Sequence, residues 1–186
     1  MGLGVCLITI GEHVISADEV VEQVRGLRLL RIYWLQYTLA GEALRAYRSG
    51  DVERVMEVKR VVDEAKAKLE AYAEAGELGA RIYVMQLAGM SQVLAQMLEP
   101  REPSGDIRVL AAGVSSGDDV VRLGDELAAR VLHAYLAEDV GELRELRALV
   151  ISVLRGSSPT WWFLERRGGV ESFISAAVAD LEGGGV

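Results

Sequence analysis

Hydrophobic positions recur every three or four residues along most of this chain, which is the spacing of an α-helix. The clearest case follows Asp51, where one apolar stripe is formed by Val55, Val58, Val62, Ala65, Leu69 and Tyr72. Charged residues occupy another face of the same segment. Residues 51–75 are therefore predicted to form an amphipathic outer helix that Asp51 caps.

Residues 18–49 predict a long first helix, capped by Asp18 and ended by Gly50. Apolar residues occur on all its sides between Leu27 and Tyr47, which is typical of a helix buried on several sides. At about 1.5 Å per residue the helix would be close to 50 Å long. Such a length indicates a bundle or a seam between subunits.

The rest of the chain continues the helical pattern. Further helices are predicted at 80–98, at 118–137, from Asp139 onward and at 169–182. Pro100 and Pro103 end the third helix and open a linker, 99–117, with a short apolar piece at 107–114.

The predicted fold is therefore all-α, a single-domain bundle of six to seven helices over residues 17–182. Residues 1–16 form an N-terminal extension of uncertain structure, in which 5–10 fit a strand, a helix start or a disordered segment. Residues 183–186 are expected to form a disordered tail.

Charge and composition limit the classes of function and of metal site that the chain can have. The 186 residues fit one domain, and 20 basic against 28 acidic residues give a net charge of -8. A generally basic nucleic-acid-binding surface is excluded, so any basic patch must be local. One cysteine, Cys6, and two histidines exclude an internal disulfide and a Cys-rich or three-His metal site. Carboxylates, which suit Mg²⁺ or Mn²⁺, are the remaining type of metal ligand.

The chain shows no sign of a membrane segment. Its longest uncharged run, residues 82–98, has 17 residues and contains three glutamines and a serine, so it is too short and too polar to span a bilayer. The start lacks the basic region of a secretory signal, and a cytoplasmic protein is expected. Asparagine is absent and only three of the 20 basic residues are lysine, which fits a heat-adapted protein.

Three groups of side chains are candidates for chemistry. On the fourth helix, Arg122, Glu126 and Arg130 share a face with His133, which fits either a metal and acid–base site or a salt-bridge ladder. Arg25, Arg28 and Arg31 lie on one side of the first helix and could contact phosphates or form an ion-paired face. The run Trp161–Phe163 fits base stacking or a hydrophobic anchor.

The order of the helices and three local motifs resemble the translin family, over about residues 18–182. The first helix ends in the sequence ALRAYRSGD, residues 43–51, where that family has R-x-A-I-x-x-L-H-x-G-D/E. The stretch GDEL, residues 124–127, is followed by Asp139 at thirteen residues from Glu126, the family's spacing. A basic pair, Arg166 and Arg167, precedes an apolar helix that ends in Asp180–Leu181.

The resemblance implies an all-α subunit of a closed, usually eight-membered shell that binds single-stranded RNA or DNA. It also implies that catalytic relatives cleave RNA with metal ions held by four carboxylates. In this chain Gln86, Gly89 and Arg122 stand at three of those positions, and only Glu126 is acidic. A chain with one such carboxylate is expected not to be the nuclease, and Mg²⁺ is expected only if a residual activity remains.

These observations lead to a primary hypothesis and two alternatives. The primary one is a translin-like single-stranded RNA- or DNA-binding homo-oligomer without a catalytic or metal site, for which the resemblance implies an octamer. Its candidate phosphate contacts are Arg25, Arg28, Arg31, Arg45 and Arg48. The first alternative is a helical scaffold or partner subunit without nucleic-acid binding, and a catalytic family member is the partner that the resemblance suggests. The second is a residual metal-dependent ribonuclease that uses Glu126 with Asp125, Asp118 or Asp119.

Overall fold

Eight helices follow a short N-terminal hairpin in the described part of the computed structural model. The structure describes residues 6–156 and 161–183, and within these it describes 152–156 and 161–168 by their backbone only. The elements are β1 (Leu7–Ile10), β2 (His13–Ser16), α1 (Ala17–Arg25), α2 (Leu29–Ser49), α3 (Val52–Glu74), α4 (Leu78–Leu98), α5 (Ile107–Ala112), α6 (Gly117–Leu136), α7 (Val140–Gly156) and α8 (Trp161–Leu181). The predicted all-α fold is confirmed, with more helices than the six to seven expected.

The hairpin makes the start of the chain part of the folded domain. Strands β1 and β2 are antiparallel, with Ile8 opposite Ile15, and both of these side chains are buried. Strand β1 packs against α3. Of the alternatives left open for residues 5–10, the structure shows the strand for 7–10, and the boundary predicted at residue 17 falls within the domain. Residues 1–5 and 184–186 lie outside the described part. The disorder predicted for the C-terminal tail therefore stays a prediction.

The long first helix is two helices in the structure. Helix α1 ends at Arg25 and α2 begins at Leu29, with Leu27 between them at φ +52. A left-handed residue stops a right-handed helix and turns the chain, so the apolar face of α1 can pack against α3. Ser16, not Asp18, caps α1, since its side chain accepts from the backbone N–H of Glu19. This break and the short helix α5 account for the higher helix number.

Helix α4 lies at the centre of the bundle, as its uncharged sequence predicts. It packs against α3, α6 and α8. A Cβ at position 169 would lie 2.1 Å from the carbonyl oxygen of Gln86 and 2.6 Å from the backbone nitrogen of Met90. Gly169 therefore allows the backbones of α4 and α8 to touch.

The starts of the later helices follow the cap residues that the sequence contains. Asp51 accepts from the backbone N–H of Arg54 at the start of α3, as predicted. Asp139 accepts from the backbone N–H of Glu142 at the start of α7. For α6 the cap is Ser116 rather than Asp118 or Asp119, the acids at the start of the predicted helix, and Asp119 takes the third helical position of a capping box. In the part of the chain that the structure describes, no helix is long and apolar enough to cross a membrane.

Candidate nucleic-acid interface

The turn between α1 and α2 brings three of the predicted arginines to one end of the molecule. Arg25 donates to both carboxylate oxygens of Glu77 at 3.3 Å, and its guanidinium lies 3.9 Å from the ring centre of Tyr72. Arg31 pairs with Glu19 at 2.6 Å. Arg28 is exposed and forms no ion pair within the described residues. Of the three, Arg28 has the guanidinium that is most available for a ligand.

Arg45 and Arg48 lie toward the opposite end of α2, about 21 Å and about 25 Å from Arg31 along the helix axis. Arg45 pairs with Glu42 at 3.1 Å. Arg48 pairs with Glu138 and lies 3.7 Å from Asp180. The five predicted arginines therefore form two separate groups, and four of them are ion-paired within the chain.

Arg48 belongs to a network that joins the C-terminal ends of α2, α6 and α8. The hydroxyl of Tyr135 donates to Asp180 Oδ2 at 2.7 Å, and the phenol ring is completely buried. Burial and the adjacent carboxylate raise the pKa of Tyr135 to about 12. This arrangement assigns Arg48 a role in holding three helices together.

Aromatic side chains on α2 continue from the arginines at the α1–α2 turn. The guanidinium of Arg31 lies 4.0 Å from the ring centre of Trp34, and Tyr33 is 63% exposed. Tyr33, Trp34 and Tyr37 line one side of a cleft of about 410 Å³. The other side comes from α7 and α8, with Arg147 facing Glu171 at 3.6 Å. We call this cleft the aromatic cleft; the apolar residues on all sides of residues 27–47 were its only signal in the sequence.

Four exposed leucines surround the same turn. They are Leu27, Leu29, Leu30 and Leu78, and their exposed fractions lie between 53% and 88%. Leu27 and Leu78 are neighbours in space, because a Cβ on Gly79 would lie 2.9 Å from Leu27 Cδ2. We call these four residues the leucine patch. An exposed apolar cluster is typical of a surface that binds another protein.

Glu126, the acidic residue that the sequence resemblance singled out, is held inside the protein. It is 8% exposed and accepts the backbone N–H of Ser104 at 3.0 Å from each carboxylate oxygen. Arg130 Nε donates to it at 2.9 Å. The predicted ladder is thus formed on one side only, since Arg122 makes no ion pair within the described residues. Glu126 anchors the segment 99–106 to α6.

The positions that resemble the family's metal site do not come together. Gln86 accepts a hydrogen bond from Gln36 of α2 at 2.9 Å, and Gly89 is buried where α4 meets α8. The α4 residue that shares a cleft with Glu126 is Gln96, seven residues farther along the helix than Gly89. Among the described residues, no group of three or more His, Cys, Asp or Glu side chains could hold a metal ion.

Two of the three other acids suggested for a residual hydrolase, Asp125 and Asp119, accept hydrogen bonds from neighbouring residues. Asp125 accepts from Gln92 Nε2 at 3.2 Å. Asp119 accepts from the hydroxyl and the backbone N–H of both Ser116 and Ser115, and these hydrogen bonds lower its pKa to about 2. Such an acid stabilises a helix start. Asp118 is exposed in the first turn of the same helix.

A cleft with a polar lining lies between the segment 99–106 and α6, separate from the aromatic cleft. Its volume is about 340 Å³, and we call it the loop cleft. Arg101 and Arg122 both line it, together with Gln96 and Ser104. The sequence predicted that Arg122 pairs with Glu126 in the salt-bridge ladder, because Arg122 and Arg130 are each four residues from Glu126. Since Arg130 alone forms the pair, Arg122 faces the cleft.

The side chains of Trp161, Trp162 and Phe163 lie outside the described residues, so their suggested role in base stacking stays a prediction. Searches of protein-family models, of curated proteins and of solved structures find nothing that matches this chain. The resemblance to the translin family therefore rests on the motifs quoted above.

Proposed function

We propose that this protein is a homo-oligomeric, translin-like protein that binds single-stranded RNA or DNA. One observation carries the proposal: an unpaired arginine at the start of α2 lies near an exposed tyrosine and a partly buried tryptophan in the first turns of that helix. Arg28 has no ion pair within the described residues, Tyr33 is largely exposed, and Trp34 lies in contact with Arg31. Aromatic rings for bases beside guanidinium groups for phosphates are the combination that single-stranded nucleic acids require.

Charge restricts where a nucleic acid can bind. The chain carries a net charge of -8, so most of its surface repels phosphates. Binding would then depend on a few arginines, with little sequence preference and a strong dependence on salt. The exposed leucine patch supports assembly into an oligomer, which would multiply these few contacts.

Fluorescence anisotropy with a labelled single-stranded 12-nucleotide RNA tests the proposal. We expect binding that weakens steeply with added salt and that Arg28→Gln reduces several-fold. Arg60→Gln is the matched control, because Arg60 is exposed on α3 and forms no ion pair within the described residues. Size-exclusion chromatography with light scattering, read at 260 and 280 nm, should show the RNA eluting with an oligomer. Absence of binding at low salt would refute the proposal.

A partner subunit without nucleic-acid binding is the second candidate, and the leucine patch favours it. The internal pairing of Arg25, Arg31, Arg45 and Arg48 agrees with it as well, because these groups already have partners. This candidate predicts an assembly that is unchanged by RNA. The same chromatography distinguishes the two candidates, since only the first predicts that bound RNA adds to the absorbance of the protein peak at 260 nm.

A further inference from the structure

The loop cleft combines two arginines that form no ion pair within the described residues. Arg101 and Arg122 come from different segments, the 99–106 segment and α6, and both line the cleft. Neither guanidinium forms an ion pair within the described residues, although most arginines of this acidic chain do. Two guanidinium groups facing one cavity are a common recognition device for phosphate.

Two of the three carboxylates that line the cleft have partners of their own. Glu126 is compensated by Arg130 and by the N–H of Ser104. Asp125 accepts from Gln92. Glu102 is exposed to solvent and forms no ion pair within the described residues. None of the three pairs with Arg101 or Arg122, so the two guanidinium groups keep their hydrogen-bond donors for a ligand.

The segment that carries Arg101 is fixed in place before any ligand arrives. The backbone N–H of Arg101 donates to Gln96 Oε1 at 3.3 Å, and Arg130 Nη2 donates to the carbonyl of Gly105 at 2.5 Å. Pro100 and Pro103 further restrict the backbone on either side. A preorganised donor loses less conformational entropy when it binds.

We infer that the loop cleft binds a phosphodiester group of the single-stranded nucleic acid between Arg101 and Arg122. This inference rests on the proposed function and adds a second contact region to the α2 surface. Arg101 and Arg122 would each supply a positive charge and N–H donors to the phosphate oxygens. A guanidinium holds the phosphate without activating a water molecule, and binding without cleavage follows.

The test compares Arg101→Gln/Arg122→Gln with Arg60→Gln, using a single-stranded 12-nucleotide RNA and fluorescence anisotropy over a range of salt concentrations. Loss of two phosphate contacts should weaken binding roughly tenfold at low salt and reduce the salt slope by about two. The control should bind as the wild type does. Inorganic phosphate, compared with chloride at equal ionic strength, should displace RNA from the wild type more strongly than from the double variant. Thermal melts establish that each variant is folded.

The possible results separate the two proposals. If the double variant binds like the wild type while Arg28→Gln is weakened, the loop cleft is not a phosphate site and the proposed function stands. If free phosphate binds in the cleft but the double variant leaves RNA affinity unchanged, the ligand is a small phosphate compound and the inference is wrong. If the wild type binds no RNA, both proposals fail.

Discussion

Tyr135 shows how a single buried hydroxyl couples stability to pH. Its hydroxyl donates to Asp180, and the phenol ring is completely buried. The folded pKa of about 12 exceeds the value of about 10 of an unfolded tyrosine. A raised pKa contributes stability below pH 10, and that stability is lost as the pH rises toward 12.

We therefore expect the free energy of unfolding to fall between pH 10 and pH 12 by up to about 1.4 kcal/mol per pH unit from this group. Tyr135→Phe should remove that share of the slope and lower stability at pH 7 by about 2 kcal/mol, since it deletes a hydrogen bond to a charged acceptor. Urea unfolding at several pH values measures both effects. Tyr33→Phe, at an exposed position, is the control, and an unchanged slope in Tyr135→Phe would contradict the assignment.

Sequence spacing predicted contacts within one helix better than contacts between distant segments. Glu126 was correctly paired with Arg130 by its spacing, but its bond to Ser104 joins residues 22 positions apart and has no local signature. Arg48 was selected for phosphate contact, yet its partners Glu138 and Asp180 come from segments far along the chain. Periodicity describes one helix at a time, so contacts made between helices are not contained in it.

At the level of elements, periodicity predicted α3, α4 and α6 to within a few residues, because each helix begins and ends at residues with clear capping or breaking properties. The break between α1 and α2 was missed. Its centre is Leu27, a residue with high helix propensity that adopts a left-handed conformation. Only Gly26 indicated a possible turn there, and one glycine is compatible with a continuing helix. The packing of α1 on α3 overrides the local preference.

The contact between α4 and α8 yields the sharpest prediction for an element. Gly169→Ala places a methyl group 2.1 Å from the Gln86 carbonyl oxygen and 2.6 Å from the Met90 nitrogen, and backbone atoms inside a helix have little freedom to move. We expect a loss of about 3 kcal/mol or more in the free energy of unfolding, measured in urea.

Gly41→Ala in α2 is the matched control for that variant. Its nearest neighbour is Arg45 Nη1 at 3.4 Å, at the end of a flexible side chain. This substitution should stabilise the protein by about 0.5–1 kcal/mol, because alanine favours a helix more than glycine does. If Gly169→Ala is as stable as the wild type, the two helices are farther apart than in the structure described here.

For the whole molecule, the distribution of charge matters more than its sum. Many of the basic side chains are neutralised within the chain, so the net charge of -8 leaves only small regions that can attract an anion. Arg28 and the loop cleft are two such regions, and they belong to different ends of the fold. A nucleic acid that contacts both must follow the surface or bridge two subunits, which links binding to assembly.

Assembly can be tested through the leucine patch. Leu30 is 88% exposed, and its burial against a second copy would remove apolar surface from water worth about 1.5–3 kcal/mol per side chain. Leu30→Glu would instead place a carboxylate without a partner in the interface, so the oligomer should dissociate at protein concentrations at which the wild type stays assembled. Light scattering should then give a mass near the 20.2 kDa of one chain.

Val109→Glu makes the same kind of change at a 66% exposed position on α5 and should leave the mass unchanged. A wild type that is already monomeric, or a Leu30→Glu variant that stays assembled, would show that the leucine patch does not join subunits.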